Sequence, residues 1–244
     1  MARVRIIGRG RAGGSLATAL ADTDWEVIDV RGRGDRLADA GAGVDLVVIA
    51  TPDDVIAEVA GAIDGVDSTV VAHLAGSLGL DVLGSHSRRG AMHPLVALPD
   101  AATGAVRLRE GAWFATAGDP LVGELVAVLG GREFVVADAD RGAYHAAAAI
   151  ASNHLVAVLG QAERIGRRAG VPFEAIMDLV KATVRNVDEL GPAAALTGPA
   201  ARGDDATIAR HLESLPSDER PTYEAMVTEA RRLAVQARTS GEEG

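Results

Sequence analysis

The chain has 244 residues, 48% of them hydrophobic, a formal net charge of -10 and no cysteine. That length and apolar content can bury a sizeable core as one large domain or two modest ones, and the acidic balance opposes a general nucleic-acid or anionic-membrane surface. The lack of cysteine excludes disulfides, thiolate nucleophiles and Cys-ligated metals. No apolar run reaches membrane-spanning length and no leader pattern opens the chain, so a soluble, cytoplasmic protein with no nucleic-acid and no membrane partner is expected.

The first element is an apolar strand from Val4 to Ile7 that runs into Gly8-Arg-Gly10-Arg11-Ala12-Gly13 and then into an Ala/Leu-periodic helix. Gly-x-Gly-x-x-Gly between a strand and a helix is the dinucleotide-binding pattern. Gly8 permits the tight turn, Gly10 lets the backbone approach a pyrophosphate, and Gly13 allows close helix packing, with Arg11 and Ala12 at the helix start facing the phosphates. The second strand, Trp25 to Val30, ends where an acid would hold the ribose of NAD, and Arg31 stands there with Arg33 close behind. Two guanidinium groups suit a 2′-phosphate, which favours NADP(H). The competing reading keeps Asp29 as the ribose ligand and leaves both arginines on the surface.

Val44 to Ala50 is the clearest buried strand, followed by Thr51-Pro52 and a helix start that Asp53 or Asp54 can cap. Thr69 to Leu74 is the next strand and leads to Gly76-Ser77. Strands are also expected over 112–116 and 133–137 with a helix over 121–129 between them, and the sheet should end near Ala137. From 139 to 169 the composition is rich in Ala, Leu and Arg, which predicts one long helix, bent near Gly160. A second helix follows over 172–190, then a specified loop over 191–204, then helices over 206–215 and 221–238 and a disordered tail from Thr239. This gives an α/β domain over 1–138 and a helical domain over 139–244.

The glycine pattern, Ala50-Thr51-Pro52-Asp53, His73-Leu-Ala-Gly76-Ser77, Gly90-Ala-Met-His93-Pro94-Leu95, Tyr144-His145 with Ser152-Asn153-His154, and Leu196-Thr-Gly-Pro-Ala-Ala-Arg202-Gly-Asp204 together carry a resemblance across nearly the whole chain. The chain resembles the bacterial Rossmann-like oxidoreductases whose C-terminal half was long labelled a domain of unknown function. These are akin to 6-phosphogluconate, 3-hydroxyisobutyrate and prephenate dehydrogenases, pyrroline-5-carboxylate reductase and ketopantoate reductase. The resemblance implies a doubly wound NAD(P)-binding sheet, an all-α C-terminal domain of a kind that often dimerises, so that a homodimer is expected, and an active site between them. Some members of the group serve as an alternative ketopantoate reductase, so ketopantoate is the first-guess substrate.

Chemistry is expected outside the carboxyl ends of the strands, where Ala50-Thr51-Pro52 and Gly76-Ser77 can position the nicotinamide ribose and a substrate carboxylate. Ser77 is equally readable as a helix cap or serine turn. His93, in a loop behind Arg88-Arg89-Gly90 and held extended by Pro94, has its counterpart in the His-Pro pair of prephenate dehydrogenases; the alternative is a structural histidine. His73, among apolar neighbours, reads as a core or sheet-end residue, with a functional role the lesser alternative because it lies near the cofactor cleft. Related dehydrogenases carry a Lys on the inter-domain helix as proton donor, followed by an Asn; this chain has only Lys181, on the next helix. At about 100° per residue, His145 and Ser152 fall within about 40° of one line and Asn153 about 80° from His145. His145 is then the proton donor with Ser152 and Asn153 as anchors, or the three satisfy one another within an Ala-lined interface. Arg202 either binds the substrate acid or pairs with Asp204 to fix its loop. The six histidines show no metal-ligand spacing, so no metal is assigned. The reaction expected is hydride transfer from NADPH to a small 2-oxo acid. An imine- or deazaflavin-linked reductase and a non-catalytic NADP sensor share the same features.

Overall fold

A computed structural model describes residues 1–241, with side chains to 236, and the chain forms two compact units, Met1–Ser152 and Asn153–Gly244. The first unit is built on seven strands: β1 (Ala2–Ile7), β2 (Trp25–Arg31), β3 (Leu46–Ile49), β4 (Val70–His73), β5 (Arg89–Pro94), β6 (Trp113–Gly118) and β7 (Arg132–Val135). Their order is β2-β1-β3-β4-β5-β6-β7. All neighbours are parallel except β5 and β6, which are antiparallel. The strand order reverses between β1 and β3, and a ligand crevice opens at the carboxyl ends of the strands at such a reversal.

Alternation along the strands feeds two cores. Val4, Ile6, Leu46 and Val48 pack on one face with α1 (Arg11–Leu20), α3 (Ala101–Arg109) and α4 (Leu121–Val128). Ile7, Val47, Ile49 and Val71 pack on the other with α2 (Ile56–Gly61). Helices therefore cover both faces, as buried parallel strands require. The sequence reading leaves His93 in a loop, but it lies in β5, paired through Met92↔Thr116 and Pro94↔Phe114. Pro94 ends the strand, and Leu95 N–H takes up the pairing by donating to the Trp113 carbonyl at 2.8 Å.

The expected long helix runs on from Arg141 to Arg168, with a π-helical turn inside it. A 3-10 turn at Asp138–Asp140 leads into α5 (Arg141–Ala149), a π-helical turn spans Ile150–His154, and α6 runs over Leu155–Arg168. The irregularity is the π turn, and Gly160, the expected place of a bend, lies inside α6. The first unit extends past the expected boundary at 138 because α5 packs on the sheet, with Tyr144 and His145 against His93. In the second unit α7 (Phe173–Leu190) is followed by single turns α8 (Pro192–Ala195) and α9 (Pro199–Arg202), each with proline at its start, then α10 (Asp205–Ser214) and α11 (Arg220–Gly241). Arg164 grips Glu219 with two bonds of 2.7 and 3.0 Å, and Gln161 Nε2 donates to the Glu219 carbonyl at 2.8 Å. Thr239 to Gly241 continue α11, and the rest of the expected tail, 242–244, lies outside the described residues. Among the described residues no helix is long and apolar enough to cross a membrane.

Candidate functional site

The turn after β1 has the shape its glycines dictate. Gly8 sits at φ 125°, where a side chain is strained, and a Cβ there would lie 2.5 Å from the Ala50 carbonyl oxygen at the end of β3. A Cβ on Gly13 would strike the Gly8 carbonyl, so α1 rests directly on the turn. Around Gly10 the space is open. Gly10 caps α1 without a side chain and the first turn carries no acid. The leading N–H groups of Arg11, Ala12 and Gly13 thus meet no side-chain acceptor, the usual condition for seating an anion at a helix start. Beside them, Thr51 Oγ1 is buried with no hydrogen-bond partner, and Pro52 opens a 3-10 turn at Asp53–Val55.

At the end of β2 the two arginines separate. Arg31 is committed: its guanidinium pairs with Asp39 at 2.7 Å and Asp29 at 3.5 Å, and donates to the Arg36 carbonyl at 2.6 Å. The Asp39 partnership outlasts the cost of burial and holds the Asp39 carboxyl below its ordinary pKa. Asp29, the alternative ribose ligand, is engaged by Arg5 at 2.8 Å as well as by Arg31. Arg33 is exposed. Arg9, which sequence reasoning passed over, lies across Gly32, donating to the Val30 carbonyl at 3.0 Å and pairing with Asp35 at 2.8 Å. Its place between two glycines of the motif was the available signal.

A second set of groups gathers past the carboxyl end of β4. His73 is fully buried; Ala75 N–H donates to its Nδ1 at 3.2 Å, so Nε2 carries the proton and donates to the Gly79 carbonyl at 3.2 Å. Burial pushes its pKa down. A neutral, satisfied imidazole at a strand end is the core role expected of it. His93 Nδ1 and the Tyr144 hydroxyl share a 2.6 Å hydrogen bond. Burial first, then His145 and Arg141, lower the His93 pKa to about 4, so this ring is neutral at physiological pH. His145 stands edge-on to it at 5.4 Å between ring centroids, with Nδ1 buried and unpartnered. Both rings close on Gly76: a Cβ there would strike His145 Nδ1 and lie 3.0 Å from His93 Nε2. The exposed Ser77 donates to Asp53 at 3.1 Å, so Asp53 serves that hydroxyl and caps no helix.

The structure thus brings His145, His93 and Gly76 together and places Thr51 and Ser77 on the neighbouring strand ends. It does not extend the helical line from His145. Ser152 and Asn153 are exposed within the π turn, whose wider winding breaks the α-helical phase that the sequence argument assumed. Arg202 ends α9 and is exposed. It forms no ion pair with Asp204, because the Asp204 carboxylate caps α10, accepting from Thr207 N–H at 3.0 Å and from its hydroxyl at 2.7 Å. Sequence reasoning also missed Arg141, four residues before His145 on the same face of α5 and wholly buried.

Residues 114–230, just under half of the chain, match a family model described as a domain of unknown function, DUF2520. No curated protein matches the chain. A Bacteroides fragilis protein assigned as an NADP oxidoreductase shares 22% identity at a TM-score of 0.76, over 95% of this chain and 98% of its own. A Thermotoga maritima protein shares 22% at 0.74, over 96% and 99%. The 1-pyrroline-5-carboxylate reductase of Streptococcus pyogenes shares 18% at 0.63, over 97% and 98%. At these identities the likeness establishes the fold: a Rossmann-like, mostly parallel sheet with a helical C-terminal part.

Proposed function

We propose that the chain is an NADPH-dependent oxidoreductase that reduces a small 2-oxo acid or the corresponding imine, with ketopantoate as the first substrate to try. The observation that carries the reading is the open, uncapped start of α1 at Gly10 beside the buried, unpartnered Thr51 hydroxyl at the β1–β3 reversal. These residues fit a dinucleotide. Gly8, Gly10, Arg11, Ala12 and Gly13 would hold the pyrophosphate, Ala50, Thr51 and Pro52 the nicotinamide ribose, and Arg33 with Arg9 a 2′-phosphate, on a loop that Arg31 braces.

When bound, NADPH supplies the hydride. The protein's own part is orientation and a proton. His145 gives that proton to the carbonyl oxygen or imine nitrogen, since its unpartnered Nδ1 has no competing acceptor or donor. His93 and Tyr144 hold the His145 ring on edge, and Ser77, fixed by Asp53, orients the substrate. The imine reading is supported by the fold shared with a pyrroline carboxylate reductase, whose substrate by name is a cyclic imine carrying an acid. We also propose that a second copy covers α7, which buries no residue and exposes Leu179, Val184 and Leu190.

The test is NADPH oxidation by the full chain against a panel of 2-oxo acids, with ketopantoate, and cyclic imine carboxylates. Turnover of at least one member, lost in His145→Ala, supports the reading. No turnover with either class contradicts it.

A further inference from the structure

Two arginines are buried in the first unit, and the fold treats them differently. Arg5 in β1 donates to Asp29 at 2.8 Å, to the Ala42 carbonyl at 3.2 Å and to the Ala40 carbonyl. Arg141, the first residue of α5, is 0% exposed, and its Nε, Nη1 and Nη2 all lack a hydrogen-bond partner among the described residues. Its ion-pair partner, Asp138 Oδ1, is 3.6 Å from Nε, beyond hydrogen-bond reach. The other oxygen of Asp138 accepts from Leu80 N–H at 3.0 Å. Arginine keeps its proton in proteins, so five donors and a full charge are held out of water beside one loose ion pair.

We propose that Arg141 is an anion anchor that takes the carboxylate of a small 2-oxo or 2-imino acid. Its planar fork matches the two oxygens of a carboxylate, which can accept the parallel bonds the protein leaves unmade. Asp138 at its edge is about half exposed, so solvent reaches the group's border. One turn along the same face lies His145, whose Nδ1 is likewise buried without a partner. An acid held by Arg141 therefore sets its adjacent carbonyl or imine carbon near the proposed proton donor. The glycine turn follows β1, whereas α5, which carries Arg141, packs through Tyr144 and His145 on His93 of β5, three strands away in the sheet or about 14 Å at the usual strand spacing. This separation assigns the anion to the substrate and not to the cofactor pyrophosphate. The assignment to a substrate rests on the reductase reading; the existence of the anion site does not.

The test uses the full chain as wild type, Arg141→Met and Arg141→Lys, with thermal unfolding and NADPH titration as readouts. Without ligand, Arg141→Met should melt several degrees above wild type, because a buried charge with one loose ion pair and no hydrogen bond is replaced by an apolar chain of similar reach. Pyruvate or oxalate should raise the melting temperature of wild type, leave Arg141→Met unmoved and act weakly on Arg141→Lys, which keeps the charge but not the fork. Methyl pyruvate should move none of them. NADPH affinity should change less than twofold across the three. The proposal is overturned if Arg141→Met melts below wild type, if neither carboxylate stabilises wild type, or if either stabilises all three proteins equally. Inorganic phosphate acting in place of the carboxylates, or a tenfold loss of NADPH affinity in Arg141→Met, would assign the anion to the cofactor and overturn the substrate version. Wild type that responds to pyruvate but fails to bind NADPH overturns the reductase reading and leaves the anchor standing.

Discussion

Gly76 and His145 fit together only because residue 76 has no side chain: a Cβ there would overlap the imidazole Nδ1. The end of β4 and the face of α5 are thereby locked at a contact that a single methyl group breaks. Gly76→Ala should push His145 off its place, costing about 1–3 kcal/mol of stability by overpacking. In urea unfolding the midpoint falls, while NADPH affinity, which the proposed function places at the glycine turn, stays within twofold. An unchanged midpoint would mean that the two groups are not in contact.

His145→Ala should lower kcat by a hundredfold or more, roughly the contribution of a positioned acid. NADPH dissociation constants should be unchanged. Steady-state kinetics with any turned-over substrate decide this, and a change confined to KM would assign His145 to binding alone.

His93 makes a pH prediction whose sign follows from burial. Its folded pKa is about 4 against 6.5 when free. Above pH 6.5 both states keep the ring neutral and its contribution is fully present; as pH falls the unfolded chain takes the proton first, and stability is lost progressively down to about pH 4. The loss is about 3 kcal/mol at most, and the lowered pKa of His73 acts in the same direction. Denaturant midpoints of His93→Asn across this range should show a flatter acid limb than wild type. Parallel limbs would contradict the burial of a neutral His93.

The glycine turn was legible in the sequence because strand, glycines and helix stand in one uninterrupted pattern, and the packing of Gly13 on Gly8 bears it out. β5 was not, because Gly90 and Pro94 depress the strand signal at both ends of His93 and the pairing with β6 makes the strand. The π turn was hidden for a different reason: the Ala-rich stretch has high helix propensity throughout, and propensity does not report winding. Arg141 reads as an ordinary surface arginine on such a helix. Only three-dimensional packing reveals that it is buried, and no local pattern distinguishes it from Arg167 or Arg168.

Arg31 and Arg33 should respond differently to substitution. Arg33→Glu should weaken NADPH about tenfold and leave NADH nearly unchanged, since it reverses an exposed charge. Arg31→Asp should weaken NADPH and also lower the melting temperature, because the Asp39 and Asp29 pairs are lost with it. Equal effects of Arg33→Glu on both cofactors would place the 2′-phosphate elsewhere.

If a second copy covers α7, light scattering at micromolar concentration should give a mass near twice the 25.0 kDa of one chain. Leu179→Glu should shift it toward one chain, because a charge in an apolar interface is left unpaired. A single-chain mass for the wild type would contradict the proposed dimer.

The most direct measurement is a calorimetric titration of the wild-type chain with NADPH and with NADH under the same conditions. The account predicts saturable binding of one NADPH per chain, at least tenfold tighter than NADH. Equal affinities, a preference for NADH, or no heat of binding with either would contradict it.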